Sequence, residues 1–160
     1  MEAFCRWLEQ TSVAASVRQS LWLFPVIETL HLLGMTALVG SISTFDLRLL
    51  GWAMQRRPVS KLARRLFPWM WAGFGVQVFT GALLFSSEAV HVYANPAFQV
   101  KMLLLLLAGL HALIFHCTVY RDVATWDETA VLPVRAKVAG FVSMLLWIGI
   151  VAAGRFIGFV

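Results

Sequence analysis

Four long, predominantly apolar runs dominate this chain, at about 21–45, 67–87, 99–120 and 137–158. An α-helix rises about 1.5 Å per residue, so roughly 20 such residues cross the ~30 Å hydrocarbon layer of a bilayer. Hydrocarbon offers no partner to a backbone N–H or C=O, so each crossing must be a helix that satisfies its own polar groups. Composition agrees. Of the 160 residues 60% are hydrophobic and 13% charged, against about 45–50% and 25% in soluble proteins. With only 13 basic and 8 acidic side chains, a soluble fold of this size would present a mostly apolar surface. These proportions exclude a soluble enzyme, a disordered chain and a nucleic-acid binder. The formal charge of +5 is explained by the basic loops of a membrane protein.

The expected fold class is therefore all-α: an integral-membrane four-helix bundle, one domain over residues 1–160, with a short N-terminal amphipathic segment. Asn95-Pro96 combines a capping side chain with a proline suited to the first helical position, and it starts the third span. Pro58 and Pro68 are read as bracketing the first connection, and Pro133 lies in the last. Short connections make sequential helices antiparallel neighbours. Residues 2–19 place Phe4, Trp7 and Leu8 at helical spacing against Glu2, Arg6 and Glu9, which suits a helix on the membrane surface or over the bundle end. This stretch carries no cleavable-signal pattern, so the first apolar run is read as a retained span. Cys5 and Cys117 form no C-x-x-C motif, so zinc knuckles, thioredoxin-type sites and covalent haem attachment are unsupported.

The basic residues set an expected orientation. Arg48, Arg56, Arg57, Lys61, Arg64 and Arg65 crowd the first connection against the single acid Asp46. Arg121, Arg135 and Lys137 lie in the third, balanced by Asp122, Asp127 and Glu128. The positive-inside rule puts both connections in the cytoplasm of a bacterial inner membrane, with both termini on the periplasmic side. Trp69 and Trp71 then fit the inner interfacial belt and Trp22 the outer one. Asp46 and Arg48 read as a local ion pair or cap at the cytoplasmic end of span one.

Ionisable side chains inside spans are costly and mark functional positions. All four histidines, His31, His91, His111 and His116, lie in or beside a span. Counting from span edges puts His31 roughly 15 Å and His111 roughly 18 Å below the outer surface, on helices of opposite direction. His116 is about 7–8 Å deeper than His111. His91 is read as interfacial. Two imidazoles at one depth on separate helices are what a six-coordinate haem b requires, with an apolar slot for the porphyrin. His31 and His111 are the expected axial and metal-binding pair, with His116 in reserve. Arg155 is expected to neutralise a propionate, with Lys101 and Arg18 nearby. Glu28, three residues before His31, is expected to orient that imidazole or to handle a proton at an outer quinone pocket. Gly34, Gly73, Gly81 and Gly109 allow close approach, of a ring or of another helix.

The run ETLHLLGMTALVGSISTFDLRLLGW from Glu28 to Trp52 resembles small four-span bacterial inner-membrane proteins of uncharacterised function. FSSEAVHVYANPAFQVKM and SMLLWIGIVAAGRFIGF resemble the corresponding later motifs, so the likeness spans most of the chain. That resemblance implies a role for His31 and for the turn from Asp46 to Gly51, and it favours His116 over His111. In layout alone the chain is more distantly similar to cytochrome b561 and to copper-resistance membrane proteins.

The resulting expectation is a membrane b-type cytochrome, an electron-transfer component more than a stand-alone enzyme. It would link an outer-face redox partner to the quinone pool, or serve as the membrane subunit of a larger oxidoreductase. Two readings compete with it. Copper handling would use His31, Met35, His111, His116 and Cys117 as soft donors. A cofactor-free scaffold would use the histidines only to join helices. Four helices wrap a porphyrin incompletely, so a homo-oligomer is expected, packing through Gly73 and Gly81 or through Gly140, Ser143 and Trp147.

Overall fold

The computed structural model describes residues 2–127 and 132–159. Glu128, expected among the acids of the third connection, lies outside the described residues. The order is α1 (Glu2–Glu9), α2 (Ser12–Gln19), α3 (Leu23–Leu50), α4 (Val59–Ser87), α5 (Ala89–Ala94), α6 (Pro96–Cys117), α7 (Val123–Trp126) and α8 (Val134–Phe156). Helices α3, α4, α6 and α8 are each long and apolar enough to cross a membrane. Their packing is the expected four-helix bundle. Both chain termini lie at one end, here the terminal end; the α3–α4 connection and α7 mark the other, the basic end.

Local chemistry explains the boundaries. The Asn95 side chain accepts from the backbone N–H groups of Ala97 (2.9 Å) and Phe98 (3.4 Å), and Pro96 opens α6. Helix α3 stops at Gly51, whose φ of +77° suits a residue without Cβ, while the Gly51 and Trp52 amides bond back to Arg48 and Leu47. Pro68 does not end the first connection, contrary to the sequence reading: it lies inside α4, which begins nine residues earlier at Val59. Two things hold that extra segment as helix. Val59, Leu62 and Ala63 are buried, and the first turn is capped from α7, where the Asp127 carboxylate accepts from the Ser60 amide (2.9 Å) and hydroxyl.

The N-terminal segment is two helices, not one. Thr11 ends α1 by bonding Leu8 O (2.7 Å) and caps α2 by accepting from Ala14 N (3.3 Å). Glu9 accepts from Val90 N (2.9 Å) and Arg18 donates to Ser87 O (3.1 Å), so both helices are fastened over the terminal end. Their outer side keeps Phe4 and Trp7 exposed, while Cys5, Ala14 and Val17 are buried.

Helices α3 and α4 approach closely through glycine. A Cβ on Gly73 would lie 2.8 Å from Leu38 N and 2.9 Å from Gly34 O, and one on Gly34 would lie 2.7 Å from Val76 Cγ1. Gly140 brings α8 onto α3 in the same way, with Leu49 Cβ at 3.0 Å and Asp46 O at 3.1 Å. Within the single chain, Gly73, Gly81 and Gly140 are thus each turned toward a neighbouring helix of the same bundle. The main core cluster lies toward the basic end, where Phe45 and Leu49 of α3 meet Val59, Phe115, Trp126 and Ala136.

Candidate functional site

Helices α4 and α6 are consecutive spans, yet among the described residues no Cα of one comes within 8 Å of the other. Aromatic side chains bridge them at both ends. Phe85 stacks on Phe98 (5.3 Å between centroids) at the terminal end, and Phe67 meets His116 (5.4 Å) and Tyr120 (5.7 Å) at the basic end. Between these clamps lies a cavity of about 490 Å³, lined by all four long helices. Its walls are mostly apolar, including Phe45, Phe74 and Trp147. Four polar side chains interrupt them: Asp46, His111, His116 and Ser143. Exposed Trp71, Leu113 and His116 stand on its α4 and α6 walls, so the cavity is reached from the lipid-facing side.

Each polar residue has a distinct setting. His111 is half-buried, and its Nε2 lies 3.0 Å from Ala139 O on α8. A carbonyl can only accept, so Nε2 donates this bond, and Nδ1 takes part in no hydrogen bond among the described residues. His116 stacks on Tyr120 (5.0 Å, 19° between planes) and makes no hydrogen bond among the described residues. Tyr120 lies past the end of α6; burial and then Asp127 push its phenol above its ordinary pKa, against a smaller pull from Arg64, so it stays neutral at pH 7. Asp46 is 3% exposed, Ser143 shares its cavity wall, and its Oδ2 has no hydrogen-bond partner.

The expected Asp46–Arg48 ion pair is not formed. Arg48 is buried on another side of α3 and donates from Nε to Arg57 O (2.9 Å). Residues two apart on a helix point about 200° apart, so the two side chains leave in different directions. The ion pairs between described side chains are Arg6–Glu2 and Arg135–Asp122, both exposed.

Of the histidines singled out by depth, the structure brings His111 and His116 to one cavity and leaves His31 outside it. His31 sits where α3 crosses α4. Its Nδ1 is 2.8 Å from Thr80 Oγ1, its ring lies over Gly81, where a Cβ would be 3.2 Å away, and its carbonyl accepts from Gln77. Leu38, the α3 residue of the cavity nearest to it in sequence, is seven positions further along, roughly 10 Å. The span starts explain the offset. Helix α3 begins at Leu23 and α6 at Pro96, so from these starts His31 is about 12 Å deep and His111 about 22 Å. Glu28 is exposed on α3. Arg155 is exposed on α8, with its guanidinium 5.4 Å from the Phe159 ring centroid. Lys101 packs along Gly154, and Arg18 holds Ser87 O. Asp46 is the cavity residue that sequence reasoning missed. Its signal was an acid within the apolar first helix, and the nearby Arg48 drew it into a pairing that does not exist.

No group of three or more His, Cys, Asp or Glu side chains suited to a metal ion occurs among the described residues. A three-ligand copper site built from His31, His111, His116 and Cys117 therefore finds no support, and Cys117 is exposed. A haem asks for less, one or two axial ligands and an apolar slot.

Four spanning helices packed on one another with a cavity at their centre define a multi-pass membrane protein in the four-helix-bundle class. Residues 11–160 match DUF6644, a family of unknown function, and the chain belongs to that family. No curated protein and no solved structure matches it significantly.

Proposed function

We propose that the protein is an intramembrane b-type cytochrome whose haem is held in the α4–α6 cavity. The observation that carries this reading is one cavity of about 490 Å³, open to the bilayer, with an apolar lining and two imidazoles. That volume lies within the roughly 300–1,000 Å³ typical of small-molecule and cofactor sites. Bound there, haem supplies one-electron chemistry. His116 would be the residue to hold the haem iron, since its nitrogens make no hydrogen bond among the described residues and Tyr120 and Phe67 pack against its ring. His111, anchored by Ala139 O, offers Nδ1 as a second imidazole donor. Asp46 and Ser143 form the polar corner of the site. In this reading His31 joins α3 to α4 through Thr80 instead of ligating iron, and Arg155 and Glu28 stand apart from the ring.

As an electron-transfer component, the protein passes electrons between a redox partner at the terminal end and a lipid-soluble acceptor of the quinone class. The basic end faces the cytoplasm of a bacterial inner membrane, on the strength of its arginines and lysines. A cofactor-free scaffold is the second reading, favoured by one observation: His31 and His111 each hydrogen-bond across to a neighbouring helix.

Haem retention in purified variants separates the possibilities. His116→Ala is expected to lose most of its haem while inserting normally, and His31→Ala to retain it with reduced thermal stability. Loss of haem in His31→Ala with retention in His116→Ala would overturn the ligand assignment. Haem-free wild type from haem-replete cells would favour the scaffold.

A further inference from the structure

The basic end carries a second pocket, separate from the central cavity. Helix α4 has 29 residues, about 43 Å of length, against a ~30 Å hydrocarbon core. Its first turns therefore reach beyond the hydrocarbon, and they hold Lys61, Arg64 and Arg65. Lys61 and Arg65, four residues apart, share one side of α4, and Arg57 lies just ahead of the helix, before Pro58. Trp69, four residues after Arg65, continues that side of α4 and is 64% exposed.

Between the cations lies a pocket of about 310 Å³ lined by Arg57, Pro58, Lys61, Leu62 and Arg65. Its backbone is held in place, because the buried Arg48 donates to the Arg57 carbonyl and Pro58 precedes the first turn. No ion pair among the described residues uses these three cations. The acid near the start of α4, Asp127, is bound to the Ser60 amide and hydroxyl instead. Three cations without an ion pair among the described residues, with Leu62 and Pro58 between them and an exposed Trp69 beyond, match the chemistry of a phosphate ester attached to a lipid.

We infer that the Arg57–Lys61–Arg65 pocket binds the headgroup of an anionic phospholipid, with its acyl chain running along Trp69. The test measures thermal unfolding of the purified full chain in neutral detergent micelles. The micelles are doped with phosphatidylglycerol, with phosphatidylcholine, or given inorganic phosphate alone. Phosphatidylglycerol is expected to raise Tm saturably, and phosphatidylcholine and phosphate to leave it unchanged. Arg57→Gln is expected to raise the half-saturating lipid fraction about five-fold, and Lys61→Gln with Arg65→Gln about twenty-fold or more, at roughly five-fold per cation. Arg57→Gln keeps the carbonyl that Arg48 uses, so it reports on the site even where the double variant folds poorly. Arg121→Gln, which removes one charge elsewhere, is expected to change half-saturation less than two-fold. An equal shift in Arg121→Gln, an equal response to phosphatidylcholine, or full substitution by free phosphate would each overturn the assignment.

Discussion

Asp46 is the least comfortable residue in the molecule: 3% exposed, inside an apolar helix, with one carboxyl oxygen unpartnered. Burying a polar group without a partner costs about 1–3 kcal/mol in proteins, and an ionised one far more. A residue kept at that cost, facing a cavity that also holds two histidines, reads as part of the site. Asp46→Asn keeps the shape and removes the acid. It is therefore expected to leave thermal stability unchanged or to raise it by up to about 2 kcal/mol in chemical unfolding. A loss of more than about 2 kcal/mol would show that the carboxylate is paired and structural. The histidines were legible as a set, since polar side chains stand out in apolar runs. Which two share a cavity was not. Depth counted from a span edge carries an error of several residues, and Leu23 and Pro96 as actual starts moved His31 and His111 about 10 Å apart.

At the scale of elements, all four spans were readable because hydrocarbon imposes length and apolarity on each. Asn95 with Pro96 marked a boundary correctly, since cap and proline act within one turn. Pro68 misled, because a proline ends a helix in water more readily than one packed among neighbours. Which helices pack together depends on side-chain relief across distant segments, and Gly34, Gly73 and Gly140 supply it here. Gly73→Ala places a methyl against the backbone of α3, which cannot move aside as a side chain can. It is expected to lower unfolding stability by about 1–3 kcal/mol. Gly109→Ala meets nothing within 4 Å, and it should be neutral or up to about 1 kcal/mol stabilising through helix propensity. Equal stability for the two variants would contradict the close α3–α4 crossing.

Taken whole, the molecule keeps α3 against α4 and α8, and α8 against α6, and leaves a gap between α4 and α6. Aromatic clamps at Phe85–Phe98 and Phe67–His116 hold that gap open at both ends. A bundle selected only for tight packing has no reason to preserve a cavity of about 490 Å³, since empty space forfeits contacts along its whole lining. An occupant restores them. The most direct test is the reduced-minus-oxidised absorption spectrum of the wild-type protein purified in detergent from haem-replete cells, with the haem content counted per chain. The account predicts a sharp b-type α-band on reduction and close to one haem per chain. A colourless protein under those conditions would contradict it.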